Sequence, residues 1–250
     1  MTTAASVTVT FAGSGDAFGS GGRFQACIHL QGPGFDPLLV DCGASSLVAL
    51  KRLGLDPGDI AAVFVSHLHG DHFGGLPFLL LDAQFARRTN ALTIAGPPGI
   101  ARRLTEAMEC MFPGSTSVSR RFEVDIVELR PGATKVLGGV TITAFEVDHA
   151  SGAPPLALRL DVAGRRISYT GDTAWTDTLL EAANGADLLI AEAYSRDKYI
   201  PYHLRHVDLT AHRAQLGCKS LIVTHMSTDM LEHPDDVSFE TAYDGLVVTV

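Results

Sequence analysis

The chain has 250 residues, of which 46% are hydrophobic and 19% charged, a composition typical of a globular protein with a substantial buried core. Its formal net charge of −9 disfavours general binding to nucleic acid or to anionic membranes. No apolar run approaches the roughly 20 residues that a transmembrane helix needs. Because there is no internal repeat or linker, we predict a single domain over residues 1–250.

Strands and helices are predicted from apolar periodicity and from glycine and proline at the ends of segments. In chain order the predicted elements are strands at 6–12, 25–31 and 37–41, a helix at 44–54, a strand at 60–65, a helix after Pro77 within 73–88, a strand at 92–96, a helix at 99–111, strands in series between 122 and 170, a helix near 176–183, a strand near 187–191, a helix near 208–216, and strands near 220–224 and 245–250. Grouped strands with helices inserted between them favour two sheets covered outside by helices.

Polar side chains follow five of these strands at the point where each strand ends. They are His67, His149, Asp172, Glu192 and His225. Polar residues carried at strand ends over a rigid sheet are a common way to assemble a site from distant parts of a chain. A lone histidine is more often a hydrogen-bonded core residue, but five repetitions of the pattern favour a functional site.

The stretch VFVSHLHGDHFGG holds three histidines and one aspartate within six residues. If the backbone is still extended, His67 and His69 project to one side, so both imidazoles can reach one ion. Gly70 is expected to allow a sharp turn. Asp71 and His72 then emerge in a new direction, which suits a second ion nearby.

Seven candidate metal ligands result from these two patterns. They are His67, His69, Asp71, His72, His149, Asp172 and His225. Imidazole and carboxylate ligands without thiolate suit zinc, with manganese and iron as alternatives. Seven ligands exceed one tetrahedral shell and match two divalent ions, especially if Asp172 bridges them.

The motif SHLHGDHFGG resembles the signature of the metallo-β-lactamase superfamily, and the later ligands match in order, with Asp172 in YTGDT and His225 in LIVTHMS. The resemblance covers nearly the whole chain and implies an α/β fold, a four-layer αβ/βα sandwich with metals at the sheet ends. It implies one metal on His67, His69 and His149, the other on Asp71, His72 and His225, and Asp172 as the bridge. Aspartate at 172 instead of cysteine separates the chain from the lactamases proper. Histidine at 69 instead of glutamate separates it from flavodiiron proteins, so redox chemistry is not expected.

Within the superfamily the chain is most similar to the ribonuclease Z and phosphodiesterase branch. FAGSGDAFGSGGRFQ resembles the Gly-rich opening of that branch, and IAGPPGIARRL resembles its Gly-Pro turn before a helix. AEAY around Glu192 and the later His206 in RHVDLTAHRAQLG resemble a glutamate and histidine pair beside the metals. One departure concerns the long arm with which ribonuclease Z grips tRNA. The connection from His149 to Asp172 has room only for one hairpin and its loop, which favours a smaller substrate.

The predicted function is a dinuclear metal-dependent hydrolase, most simply a phosphodiesterase in which water bridging the two metals attacks a small phosphodiester. The predicted catalytic residues are Asp71, Glu192 and His206. His206, oriented by Glu192, is expected to protonate the leaving alkoxide, because a carboxylate raises the pKa of an imidazole and fixes its tautomer. His203 is interpreted as a surface or structural residue.

Three alternatives stay open: a carboxylic ester, thioester or lactone hydrolase on the same metals, a tRNA 3′-processing endonuclease, and a non-catalytic scaffold. The expected partner is a small anionic substrate, whereas nucleic acid and membrane are not expected. A homodimer is an expectation from the resemblance alone. No signal peptide is apparent in MTTAASVTVTF and the four cysteines are widely spaced, so a cytoplasmic location with free thiols is predicted.

Overall fold

The computed structural model describes residues 6–250, in which the chain forms two seven-stranded sheets. Residues 1–5, where the segment inspected for a signal peptide begins, lie outside the described residues. The strands are β1 (Thr8–Gly13), β2 (Cys27–Gly32), β3 (Phe35–Val40), β4 (Ala62–Phe64), β5 (Leu92–Gly96), β6 (Val124–Glu128), β7 (Thr134–Leu137), β8 (Val140–Glu146), β9 (Leu156–Val162), β10 (Arg165–Tyr169), β11 (Leu188–Glu192), β12 (Ser220–Thr224), β13 (Glu240–Thr241) and β14 (Val247–Thr249). The helices are α1 (Ser46–Arg52), α2 (Gly70–Phe73), α3 (Leu76–Phe85), α4 (Ile100–Met111), α5 (Thr178–Ala183), α6 (His206–His212) and α7 (Thr228–Leu231).

Each sheet has an antiparallel part and a parallel part. The first sheet has the order β14-β1-β2-β3-β4-β5-β6, in which β3 to β6 are parallel. The second has the order β13-β12-β11-β10-β9-β8-β7, in which β10 to β13 are parallel. Parallel strands present their carboxyl ends at one edge of a sheet, so the residues that follow β4, β10, β11 and β12 can meet there.

Three apolar clusters fix the order of the layers. The first contains residues from both sheets, such as Phe11 and Phe64 of one and Leu158 and Ile190 of the other. The second joins the first sheet to α1, α3 and α4, and the third joins the second sheet to α5, α6 and α7. Helices, sheet, sheet and helices therefore form four layers, as predicted.

The boundaries of one predicted helix are wrong. The helix expected near 208–216 begins at His206 and ends at His212. It begins earlier because the Asp208 carboxylate accepts the backbone N–H of Arg205 and also pairs with the Arg205 guanidinium, so Arg205 is the N-cap. This shift matters because it fixes where the loop before α6 ends.

The end of the chain is tied to its beginning at Asp244. Its carboxylate accepts the backbone N–H of Ser14 at 2.9 Å and that of Phe24 at 2.8 Å, and β14 pairs with β1. The glycine-rich segment between those two residues is thus held by residues more than 200 positions later. Among residues 6–250 no helix is long and apolar enough to span a membrane, the longest being α4 with 12 residues.

Candidate metal centre

Four of the predicted ligands lie close together, two on the short segment that joins β4 to α2 and two on α2 itself. His67 is fully buried and His69 is partly exposed. The backbone of His69 is extended, with φ −78° and ψ 153°. Asp71 and His72 lie on α2, whose first residue is Gly70. The extended residues and the helix point their side chains differently, as predicted from the spacing.

Gly70 was predicted to allow a sharp turn, but the positions that require glycine for close backbone packing are Gly43 and Gly75. A Cβ added at Gly70 meets nothing within 4 Å, whereas one at Gly75 would lie 2.2 Å from the carbonyl oxygen of Gly43. A Cβ at Gly43 would in turn lie 2.2 Å from the carbonyl oxygen of Asp71. The change of direction comes from the start of a helix, and glycine is required where the loop after β3 packs against that helix.

The seven predicted ligands are brought together in two adjoining groups. His67, His69 and His149 form the first, and Asp71, His72, Asp172 and His225 form the second, with the ligand atoms of each group within 4.8 Å of one another. Nε2 of His149 lies 3.0 Å from Nδ1 of His69. Nε2 of His72 lies 3.2 Å from Oδ2 of Asp71.

Asp172 lies between the two groups. Its Oδ2 is 3.2 Å from Nε2 of His225, 3.9 Å from Nε2 of His67 and 4.0 Å from Nε2 of His149. Its Oδ1 is 3.2 Å from Nε2 of His72. One carboxylate therefore contacts imidazoles of both groups, which is the position that a bridging ligand requires.

The residues fit metal ions. Two nitrogen ligands about 2.1 Å from one ion and near the tetrahedral angle stand roughly 3.4 Å apart, similar to the separations found here. Nε2 of His67, Nε2 of His72 and Oδ1 of Asp172 are buried and make no hydrogen bond to any atom of residues 6–250. A buried polar atom without a partner costs about 1–3 kcal/mol, so three such atoms close to one another indicate a site that can hold cations.

The charges of His67 and Asp172 agree with metal binding. Burial lowers the pKa of His67 well below its usual value, so its ring is neutral and free to act as a ligand. Burial raises the pKa of Asp172, but His225 and His72 outweigh burial and the net direction is downward. Asp172 is therefore ionised at neutral pH.

Hydrogen bonds behind the ligands fix their orientation. Oδ2 of Asp41 lies 2.7 Å from Nδ1 of His72, and the same carboxylate accepts the backbone N–H and the hydroxyl of Ser66. Nδ1 of His149 lies 3.0 Å from the carbonyl oxygen of Tyr202. Partners of this kind determine which ring nitrogen of a histidine faces the metal.

The predicted pair of Glu192 and His206 is wrong, because Glu192 contacts His203 instead. Oε1 of Glu192 is in close contact with Nδ1 of His203, and Oε2 accepts the backbone N–H groups of Thr173 and Leu204. His206 is the first residue of α6, and its Nε2 accepts the backbone N–H of Ser238 at 3.1 Å. The side chain of His206 thus joins α6 to the segment just before β13.

His203, predicted to be a surface or structural residue, lies beside the ligands. Its ring centroid is 5.1 Å from that of His149, and it stacks on Tyr194 at 4.6 Å. Burial lowers the pKa of His203, but the hydrogen bond and charge of Glu192 outweigh burial, so this pKa lies above its usual value. With a side chain 20% exposed, His203 can hold a proton and still reach a bound molecule.

The sequence contains a weak signal for His203. Both His203 and His206 follow Glu192 closely in sequence, and neither ends a strand. A helix that begins at His206 directs the two side chains differently, so only a correct helix start separates them.

Sequence comparison identifies the family. The model of the beta-lactamase superfamily domain matches residues 37–226, a range that includes all seven ligands. The chain belongs to the beta-lactamase superfamily. The ribonuclease Z of Methanosarcina acetivorans is 26% identical over 281 aligned positions, which cover 92% of this chain and 89% of the relative.

Solved structures of the superfamily agree. The short form of human tRNase Z superposes with a TM-score of 0.79 and 26% identity, covering 96% of this chain and 98% of that one. The metallo-β-lactamase-fold protein YhfI of Bacillus subtilis superposes with a TM-score of 0.78 and 21% identity, covering 98% and 100%. The fold and the assignment to metal-dependent hydrolases are confirmed. The names of the relatives concern RNA, which is at odds with the expectation that nucleic acid is not a partner.

Proposed function

We propose that this member of the superfamily is a dinuclear phosphodiesterase that acts on small phosphodiesters. The observation that carries the proposal is the Glu192–His203 pair beside the two ligand groups. Hydrolysis of a thioester releases a thiolate, which departs without a proton. An alkyl phosphodiester releases an alkoxide, a poor leaving group that must be protonated, and a positioned imidazole serves that need.

In this proposal His67, His69 and His149 hold one divalent ion, Asp71, His72 and His225 hold the other, and Asp172 contacts both. Zinc suits these ligands best, with manganese or iron as alternatives. When bound, two such ions supply an activated water and neutralise charge on the phosphoryl oxygens.

In this proposal the proton donor is His203, whereas the sequence analysis predicted His206. Glu192 accepts a hydrogen bond from Nδ1–H of His203. Nε2 of His203 then carries the proton that is transferred to the departing alkoxide. Glu192 is itself fixed by the two backbone N–H groups, so the ring orientation is set before the substrate binds. Tyr194 stacks on the ring and limits its rotation.

The short connection between His149 and Asp172 favours a small substrate over tRNA. It consists of one loop and the β9–β10 hairpin, whose strands are joined at Ala163 and Gly164. The alignment with the Methanosarcina ribonuclease Z spans 281 positions. It includes 92% of the 250 residues of this chain, which is about 230 residues. About 50 positions of the alignment therefore have no counterpart in this chain.

Processing of the tRNA 3′ end is the second candidate, because the similar proteins named above are ribonuclease Z and tRNase Z. The net charge of −9 opposes it, since binding to a polyanion depends on released counterions and basic side chains.

A substrate panel on metal-loaded enzyme tests the proposal. Bis(p-nitrophenyl) phosphate, a p-nitrophenyl thioester or ester, and a precursor tRNA are compared at equal enzyme concentration. We expect diester hydrolysis to exceed the other two by at least about tenfold in kcat/KM. Preferred cleavage of the tRNA or the thioester would transfer the assignment to that class.

A further inference from the structure

An apolar groove with a cavity volume of ≈ 470 Å³ lies beside the metal centre. Leu68 and Phe73 line it from the ligand-bearing segment, Phe78 from α3, and Ala107 and Met111 from α4. Phe78 and Met111 are 36% and 39% exposed. Concave apolar surfaces of this size are typical of small-ligand sites.

The groove is continuous with the segment that carries the ligands. Leu68 and Gly70, which both line it, flank the partly exposed His69. His203 does not line it and is grouped with Asp172 and His225 instead. A group in the groove thus contacts the segment that carries four predicted ligands and does not contact the proposed proton donor.

Arg103 of α4 also lines the groove. Nε of Arg103 is buried and makes no hydrogen bond among residues 6–250, while the nearby Glu106 pairs with Arg102 at 2.6 Å. A Cβ added at Gly152 would lie 3.7 Å from Nη2 of Arg103, so the guanidinium reaches from α4 to the loop after His149. Because the Arg103 side chain is only partly buried, its terminal nitrogens can pair with an anion where the groove meets this loop.

We propose that the substrate is an amphiphilic phosphodiester whose apolar, non-leaving ester arm lies in this groove, while Arg103 contacts the anion where the groove meets the loop. The inference rests on the proposed phosphodiesterase activity and adds the class of substrate. The apolar lining explains the arm, the absence of His203 from that lining explains why this arm is not the leaving one, and the Arg103 guanidinium explains the adjoining negative charge.

The test varies the arm and keeps the leaving group constant. Methyl, butyl and octyl p-nitrophenyl phosphates release the same p-nitrophenolate, so differences in kcat/KM report the arm. Each methylene group that leaves water contributes roughly a fourfold gain, and we expect butyl to exceed methyl by at least about tenfold. Equal values for the three diesters would overturn the inference while leaving phosphodiesterase activity established.

Two variants locate the effect in the groove. Ala107→Trp fills it, and Met111→Gln makes its wall polar with little change in size. We expect the butyl-to-methyl ratio to fall to within about twofold of one in the first and by about two- to fourfold in the second. Val136→Trp is the matched control, because Val136 is 70% exposed on β7 of the other sheet. An undiminished ratio in both groove variants contradicts the assignment.

A binding measurement separates this inference from the proposed function. Monoalkyl methylphosphonates are stable anions that resemble a diester, and calorimetric titration of metal-loaded protein gives their Kd without catalysis. We expect the butyl compound to bind at least tenfold more tightly than the methyl compound, and Arg103→Met to weaken both. If no diester is hydrolysed but this preference holds, the proposed function fails and the groove assignment survives. If the preference is absent, the groove assignment fails.

Discussion

The two halves of the chain supply the metal centre in different ways. The first half provides four ligands between residues 67 and 72, on one extended segment and one short helix. The second half provides its polar groups singly, from the ends of β8, β10, β11 and β12 and from one loop. A local cluster can be recognised from spacing, whereas dispersed residues meet only through the path of the loops. The comparison teaches that clustered candidate ligands are easier to recognise from sequence than the histidine that contacts Glu192.

The largest expected effect tests whether both halves are needed equally. His72→Ala and His225→Ala each remove one ligand of the second group, one from each half. Both should lower kcat/KM by roughly 10³-fold or more and reduce the metal content measured on purified protein, because an incomplete ligand set binds its ion weakly. The exposed His233 supplies the control His233→Ala. Full metal loading with retained activity in either ligand variant contradicts the site.

The next effect separates two histidines of the second half. His203→Ala should lower turnover of diesters with an alkyl leaving group by something like 10²–10⁴-fold, the usual contribution of a general acid. Diesters that release p-nitrophenolate should lose much less, because that anion departs without a proton. Metal content should be unchanged. Equal losses on both kinds of substrate would mean that His203 positions the phosphate and another group is the acid.

A smaller effect concerns the support behind the first half. Asp41→Asn removes the charge that faces Nδ1 of His72 while keeping nearly the same shape. Such changes behind a ligand typically lower metal affinity about 10–100-fold, so we expect a chelator competition to show a drop of that size. At saturating metal most of the activity should return. If activity stays low with both ions bound, Asp41 has a further role.

The smallest effect belongs to His206. His206→Ala removes the acceptor for the Ser238 backbone N–H and should lower the free energy of unfolding by about 1–2 kcal/mol. Its kcat on alkyl diesters should stay within about threefold of the parent, in contrast with His203→Ala. Denaturant midpoints and initial rates measure the two quantities. A large loss of kcat without loss of stability would restore the role that the sequence suggested.

Much of this architecture follows from sequence. Apolar runs and breakers place most strands, and the seven predicted ligands lie just after strand ends or on the short helix α2 that follows one of them, because both signals are local. The pairing of Glu192 was predicted wrongly because two histidines follow it, and the choice depends on the start of α6. That start is set by Arg205 and Asp208, whose mutual contacts are not visible in a pattern of apolar residues. The close approach at Gly43 and Gly75 likewise joins segments that are separate in sequence.

The contacts of Asp244 have a consequence for synthesis on the ribosome. The four clustered candidate ligands are synthesised early. However, β1 pairs with β14, and Ser14 bonds to Asp244, only when residues 244–249 have emerged. Ser14 in turn accepts the backbone N–H of His225 through its carbonyl oxygen. A nascent chain thus carries metal-binding side chains well before it can complete the sheet that positions them. Premature termination shortly before residue 244 would make the mostly buried β1, in place of β14, the exposed edge of the first sheet, which is a feature that promotes aggregation.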